Sequence, residues 1–594
     1  MRGLMGWARG QPARDPTDDV FPVHELDACD DMANMVVWTM LRFDEVLDAE
    51  MLRDSLARLP TIGDWRKLGA RIRMNAAGKL EYHIPKQFTE DRPAVAFTSE
   101  VHRVRVDDHE LGRKLPRATP GKASVQAGCA TFDSFAPPPE APRTLKDYLR
   151  SGAPLLWLHV VTFADATLVT LGWPHMAMDG VGLSQVLQAW AVVLAGGDEF
   201  VPPMLSLRYD PMGTLTAKDG PAAKIPEEEF FMAEEMVTNV LLYLLCIVYL
   251  VVSLMFGDKM KQHMVWVPKA TLVKLRQEAL AGLEALDNGA APGSLGGGAK
   301  LSRSGTPKNK RLHKGGVDEK LFPRGIVADH VTGKPFISEN DALMAFFTRA
   351  AACGRPRSSR LPVNLFSVVD VRDRIPTVTA SIPGATQSVF LTNMVLSVQT
   401  LLPARVFWGD WEGLNKTSSS SSSSSSSAVS SSSPPPSCLG IIAGAARSHV
   451  AAGTTEPQLR AKGIMMVKAV RDHLPAMVAM AGTPRTALIM FSSLDVGTMY
   501  DSNMFEPAVV KGGGRLEDGN DDEKTGDSQQ TPTRKLKGCT PVAFMVPRNG
   551  NVRLMSKMQL FTIGRGRGGA WVQGSLCRDV WKMVEEELAE IERR

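Results

Sequence analysis

Leu171-Gly-Trp-Pro-His-Met-Ala-Met-Asp-Gly-Val-Gly-Leu183 is the stretch on which the reading of this chain turns, because it joins a strand to a helix through a histidine. Before it, Ala166-Thr-Leu-Val-Thr-Leu171 is an apolar, β-branched run of strand length. After it, Leu183, Val186, Leu187, Trp190 and Leu194 recur at helical spacing. His175 is therefore expected in a turn. Pro174 should interrupt the strand ladder and hold Trp173 extended, and Gly180 and Gly182 should let the chain re-aim before the helix begins. A histidine on such a turn can present one imidazole nitrogen to a cleft, with Asp179 packed into the same turn. A His-x-x-x-Asp pair alone is weak, since eleven histidines would produce one by chance about half the time. The glycine after Asp179 and the strand-to-helix position make it informative.

The chain has 594 residues, too many for one core, so two domains with insertions are expected. A net charge of +4 argues against nucleic acid as a partner. Seven cysteines, an odd number with no C-x-x-C pair, fit a reducing compartment and suggest neither a zinc site nor a disulfide framework. Residues 1–19 mix Arg, Gly, Pro and Asp without an apolar core, unlike a signal peptide.

Residues 20 to about 225 read as mixed α/β, with a helix over Asp48 to Leu59. Strands are expected at Ala70 to Met74, Leu80 to Ile84 and Leu155 to Thr162, and a Pro-rich excursion between Asp107 and Arg143. Beyond the 226–261 segment, a strand at Met264 leads into an amphipathic helix with Leu272, Leu275 and Leu280 on one face. A helix from Ser338 to Ala351 follows, with Ser338 and Asn340 as candidate caps, then strands at Val363 to Val369 and Val389 to Val398. Further on, a helix around Leu459 to Met480 and a strand at Thr486 to Ser492 look like core. Arg548-Asn-Gly550 signals a hairpin between Val542 to Val546 and Val552 to Met555, and the last helix lines up Leu576, Val580, Val584, Leu588 and Ile591. Residues 287–316, Gly-rich then basic, 417–436, Ser- and Pro-rich, and 511–537 read as solvated or disordered insertions. No internal repeat is evident.

At His175-Met-Ala-Met-Asp179-Gly180 the chain resembles the BAHD acyltransferases, whose HxxxDG motif it matches, as a divergent, fungal-like member. Other stretches agree in order. His24-Glu-Leu-Asp27 resembles the family's opening "LS-x-x-D" segment, and Leu52 to Gly78 its first helix and strand. Phe336-Ile-Ser-Glu-Asn-Asp-Ala-Leu-Met-Ala-Phe-Phe347 is close to "vStndalsAflw", and Val369-Asp-Val-Arg-Asp-Arg374 to "vDgRsR". Asn393 stands where the "fGN" asparagine does. The family's DFGWG motif and following proline appear here as Asp501-Ser-Asn-Met-Phe-Glu-Pro507, a departure that bears on C-terminal packing more than on chemistry.

The resemblance implies an α/β fold of two chloramphenicol-acetyltransferase-like domains with mixed sheets and an interdomain active-site channel. The expected division is 1–225, an insertion at 226–261, and 262–594. It implies transfer of an acyl group from acyl-CoA, a co-substrate and not a bound cofactor, to a hydroxyl or amine of a secondary-metabolite-like small molecule. His175 would be the general base and Asp179 a structural partner of Arg372. No metal is expected, the chain is expected to be a monomer, and coenzyme A-binding residues are not legible. Two other readings stand beside it. Condensation and wax-ester-type enzymes use HHxxxDG, where Pro174 replaces the first histidine, and a non-catalytic, membrane-associated pseudoenzyme could keep the fold.

Met236 to Phe256 holds 21 residues without a charge, between Glu234-Glu235 and Lys259, Lys261. That length could cross a bilayer. A single span would put His175 and Arg372 on opposite sides, so the resemblance favours a one-leaflet anchor first, a buried or partner-facing helix second and a true span last. The expected location is the cytosolic face of a membrane such as the endoplasmic reticulum.

Overall fold

A computed structural model describes residues 10–237, 239–256, 259–287, 319–354, 360–408, 438–472, 480–493, 504–510, 542–545, 558–566 and 568–594. The expected insertions at 288–316, 417–436 and 511–537, the Asn549-Gly550 turn and Asp501 lie outside the described residues.

The N-terminal half supplies β1 (Asp19–Pro22), β2 (Val36–Phe43), β3 (Arg71–Met74), β4 (Leu80–Ile84), β5 (Ala96–Val101), β6 (Ser124–Ala127), β7 (Trp157–Thr162) and β8 (Thr167–Pro174). The C-terminal half supplies β9 (Met260–Pro268), β10 (Val363–Asp370), β11 (Val395–Leu402), β12 (Ala487–Ser493), β13 (Val542–Met545), β14 (Met558–Gly566) and β15 (Gly569–Cys577). Three sheets result, ordered β1-β4-β3, β13-β2-β8-β7-β5 and β11-β10-β12-β14-β15-β9-β6. The two larger sheets are mixed. In one, β5 runs parallel to β7 among antiparallel neighbours; in the other, β12 is parallel to β10 and β14. This is the α/β architecture of two packed mixed-sheet units implied by the resemblance.

Each large sheet carries its own core. Every residue of β2 and β8 is buried, so these strands are covered on both faces. They pack with the helix Gly180–Leu194 through Val186, Leu187, Trp190 and Val193. The second core gathers the helices Lys269–Asp287, Glu339–Cys353, Cys438–Gly453 and Arg578–Arg593 against the seven-stranded sheet. The last of these buries Val580, Val584, Leu588 and Ile591 along one stripe, as their spacing predicts, whereas Leu576, expected on the same helix, belongs to β15.

Two strands cross between the halves. β13, from the far end of the chain, pairs with β2 from Val542↔Arg42 to Met545↔Thr39, and β6 pairs with β9. The turn and second strand of the hairpin expected between Val542 to Val546 and Val552 to Met555 lie outside the described residues. The strand expected from Val389 begins at Val395, because residues 389–394 are used as a loop by the candidate site. Capping is local and legible. Asp48 accepts from the amides of Glu50 and Met51, and Ser338 forms a capping box with Asp341. In the segment that departs from the family motif, Phe505 is fully buried. Its ring lies edge-on to Phe43 at 5.2 Å and to Trp190 at 4.6 Å, pinning the C-terminal segment to the first core.

Between the halves runs the helix Val240–Phe256, 17 residues long. At about 1.5 Å rise per residue it reaches about 25 Å, short of the about 30 Å hydrocarbon core. Among the described residues no helix is long and apolar enough to cross a membrane. Its near side rests on protein, with Cys246 buried. Its far side is bare and apolar: Leu241, Val248 and Met255 are 68%, 58% and 70% exposed. The chain leaves and re-enters the same body, since Val237 donates to the Met480 carbonyl (3.1 Å) just before the helix, and β9 follows it.

Candidate functional site

Strand β8 delivers His175 to the end of the five-stranded sheet. Pro174 does not stop the ladder early, as its place in the sequence suggested. It is the last strand residue, opposite Val36, and the backbone N–H of His175 continues the pairing by donating to the Met35 carbonyl (2.7 Å). Proline is tolerated there because a terminal strand position need not donate. A tight turn follows, in which the Ala177 N–H donates to the Pro174 carbonyl (2.8 Å), and Met176, Ala177 and Met178 are buried.

No glycine-opened gap separates the turn from the helix. Asp179 is the N-cap, its Oδ1 accepting from the Gly182 N–H (2.8 Å), and the helix starts at Gly180. Gly182 serves close approach: a Cβ there would stand 2.6 Å from the Leu391 carbonyl oxygen and 2.8 Å from Met178 Cβ. This lets the loop 390–394 of the C-terminal half sit on the helix start.

That loop and the turn are locked by two carboxylates. Asp179 Oδ1 and Oδ2 accept from Nη2 of Arg372 at 3.0 and 3.1 Å, and Oδ2 also accepts from the Met394 N–H (3.0 Å). Arg372 is held in turn by Asp370 (2.8 Å) and the carbonyls of Phe390 (3.1 Å) and Thr392 (2.8 Å). The second carboxylate, Asp27, accepts from the Asn393 N–H (3.0 Å), from Asn393 Nδ2 (2.7 Å) and from the Thr392 hydroxyl. Asn393 Nδ2 also reaches the carbonyl of His175 (3.0 Å). The pairing of Asp179 with Arg372 expected from the resemblance is thus present as geometry, and no hydrogen bond joins Asp179 to His175 among the described residues. The role of Asp27 was not read from the sequence; its signal was its place in the opening motif.

His175 itself is partly exposed. Its Nδ1 is buried and makes no well-formed hydrogen bond among the described residues, with its own carbonyl and the Asn393 carboxamide as the polar groups beside the ring. With Nδ1 buried, Nε2 is the ring nitrogen left to meet a substrate. Burial pushes the imidazole below its usual range despite the pull of Asp179 and these two dipoles. Burial also pushes Asp179 up, against Arg372 and the Gly182 and Met394 amides. Its three close donors, the Gly182 and Met394 amides and Arg372 Nη2, nevertheless all call for acceptor oxygens, which an ionised carboxylate supplies.

Two open cavities lie elsewhere, about 770 Å³ around Phe230 and His449 and about 460 Å³ around Phe336 and Arg447; neither is lined by residues 171–183. No cluster of metal-ligating side chains occurs among the described residues.

No family profile matches the chain. The O-acetyltransferase PaAT-2 of Phomopsis amygdali is 33% identical over 364 residues, 61% of this chain and 66% of that protein. Acetyltransferase adrJ of Penicillium rubens is 26% identical over 579 residues, 97% of each chain. Transcriptional regulator calD of Penicillium decumbens is 28% identical over 588 residues, 98% of this chain and 97% of that one, so names differ among full-length relatives. Among solved structures, TRI101 of F. graminearum complexed with coenzyme A and T-2 mycotoxin matches with a TM-score of 0.53 at 13% identity. It covers 96% of this chain and 98% of that one. At that identity the likeness is one of fold.

Proposed function

The chain belongs to the BAHD-type, coenzyme A-dependent acyltransferases, and from that premise we propose that it acylates a hydroxyl or amine of a small, secondary-metabolite-like acceptor with His175 as general base. The observation that carries this is a partly exposed imidazole, its Nδ1 buried and its pKa lowered by burial, on a turn locked by both halves of the chain. In the proposed step the acceptor oxygen or nitrogen attacks the thioester carbonyl and gives its proton to Nε2. The tetrahedral adduct then collapses, the C–S bond breaks, and the departing thiolate of coenzyme A takes that proton. No acyl-enzyme is required, and no G-x-S-x-G elbow is present to form one. Both halves of the site come from one chain, which supports function as a monomer. Direct binding to nucleic acid finds no support in a near-balanced net charge. Turnover of a panel of acyl-CoA thioesters with retained or added alcohols tests the reading, and a folded protein that turns over none of them argues for the pseudoenzyme instead.

The lowered pKa sets a pH dependence. The base works in its neutral form, so a pKa below about 6.5 keeps it active as pH falls through that value. The expected kcat/KM profile is flat near pH 7, with its acid limb centred below pH 6.5. A limb at or above 6.5 counts against this environment for the ring.

For the helix Val240–Phe256 the reading is a one-leaflet anchor on the cytosolic face of a membrane. A half-cylinder of exposed aliphatic side chains with no charge suits acyl chains, and its two ends return to one body. Replacing residues 239–258 by a short Gly-Ser linker spares the Val237 contact and β9. The wild type is expected to float with phosphatidylcholine–phosphatidylserine vesicles and the deletion variant to stay behind with its thioester-dependent activity intact. A wild type that does not float sinks the anchor.

A further inference from the structure

Four successive carbonyls of the His175 turn each receive one buried side-chain donor, and each donor comes from a different part of the chain. The His175 carbonyl takes Asn393 Nδ2 (3.0 Å), Met176 the hydroxyl of Tyr82 (3.0 Å), Ala177 the Nζ of Lys67 (3.1 Å) and Met178 the Nε1 of Trp173 (3.1 Å). Tyr82 lies on β4, and Lys67 on the short helical segment Gly63–Gly69. Both are buried, 3% and 1% exposed, and the Lys67 ammonium sits 5.3 Å from the centre of the Tyr82 ring.

A fully buried lysine is costly unless its charge is used. Burial pushes the Lys67 ammonium below its usual range, and Asp27, Asp179 and Asp210 oppose that shift by favouring the charged form. Lys67 thus answers the same two carboxylates that hold the C-terminal loop and also pins the middle of the turn. The chemistry of the donors matters: ammonium, indole N–H and carboxamide NH₂ donate and cannot accept. Rotating the peptide plane that carries the His175, Ala177 or Met178 carbonyl would turn an N–H toward a donor and leave both buried groups unsatisfied, and rotating that of Met176 would cost the Tyr82 hydroxyl its carbonyl. The turn thereby has one allowed arrangement, and the imidazole at its start inherits that direction.

We infer that Lys67 and Tyr82 are positioning residues for His175, holding the backbone of its turn without touching substrate. The inference deepens the acyl-transfer reading and rests on it for its kinetic consequence. Its structural consequence is independent of turnover.

Tyr82→Phe removes one hydroxyl, and Tyr148→Phe makes the same change at another buried tyrosine, whose hydroxyl meets the Leu155 carbonyl (3.3 Å) away from the turn. Lys67→Met removes the ammonium and Lys67→Arg keeps a donor. In the full-length protein, the His175 ring is titrated by NMR with histidine labelling, assigned with His175→Gln, and its rate of modification by diethyl pyrocarbonate is measured. Release of thiol from acetyl-CoA with a small alcohol gives kcat and KM. Tyr82→Phe is expected to raise the ring's pKa toward 6.5, speed its modification several-fold and lower kcat about tenfold, within the range of a mispositioned base, while KM for acetyl-CoA stays put. Lys67→Met should do the same more strongly, with partial rescue by Lys67→Arg. Tyr148→Phe should leave the ring unchanged. Equal effects of the two tyrosine variants, or a ring unchanged in a folded Tyr82→Phe, overturn the inference. A wild type without thiol release overturns the acyl-transfer reading alone, since the titration and modification still decide the positioning.

Discussion

His175→Ala is expected to lower acyl transfer by 10² to 10⁴-fold, roughly the contribution of a positioned general base, with the fold intact. The side chain makes no hydrogen bond that supports the turn. The contacts of His175 that do, its N–H to Met35 and its carbonyl from Asn393, belong to the backbone and survive the substitution. The melting midpoint of the variant should therefore stay close to that of the wild type, and KM for acyl-CoA should change little. Steady-state thiol release beside a thermal melt separates the outcomes: unchanged turnover removes His175 from the mechanism, and loss in step with unfolding makes it structural.

Asp179→Ala is expected to fail in the opposite way, through stability. The substitution strands Arg372, which is largely buried, and deprives the Gly182 and Met394 amides of their acceptor. Breaking a buried ion pair from one side costs about 3–5 kcal/mol, and loss of an N-cap about 1 kcal/mol. Asp370 still neutralises part of the Arg372 charge, so the lower end of the first range applies. A fall of about 3–6 °C in the melting midpoint, poor expression and lost activity should appear together. Asp179→Asn keeps a capping oxygen and should recover part of the stability. A variant that melts like the wild type yet is inactive points to a carboxylate acting on the reaction itself.

Much of the site could be read along the chain because it is made of local pieces. The β-branched run before His175, the helical spacing after it and the caps at Asp48 and Ser338 depend on neighbours a few residues away, and the structure has them where their periodicity predicts. The order of the motifs also linked Asp179 to Arg372 across nearly two hundred positions, though only through resemblance. The start of the helix was misread, since a glycine suggests freedom along the chain and gives no sign that Leu391 will press against it.

What the tertiary structure alone decided is which distant groups meet. β13 adds to β2 across about five hundred residues, and strand periodicity names no partner. Residues 389–394 look like strand by composition, but their polar groups are taken by Asp27, Asp179 and Arg372, so they form a loop. Lys67 and Tyr82 carry no motif; each matters only because folding brings its donor to one carbonyl of a buried turn. Local sequence determines backbone shape through dihedral preference and burial pattern, whereas satisfying buried polar groups is a three-dimensional requirement. For that reason the histidine was legible in the chain and the shell that aims it was not.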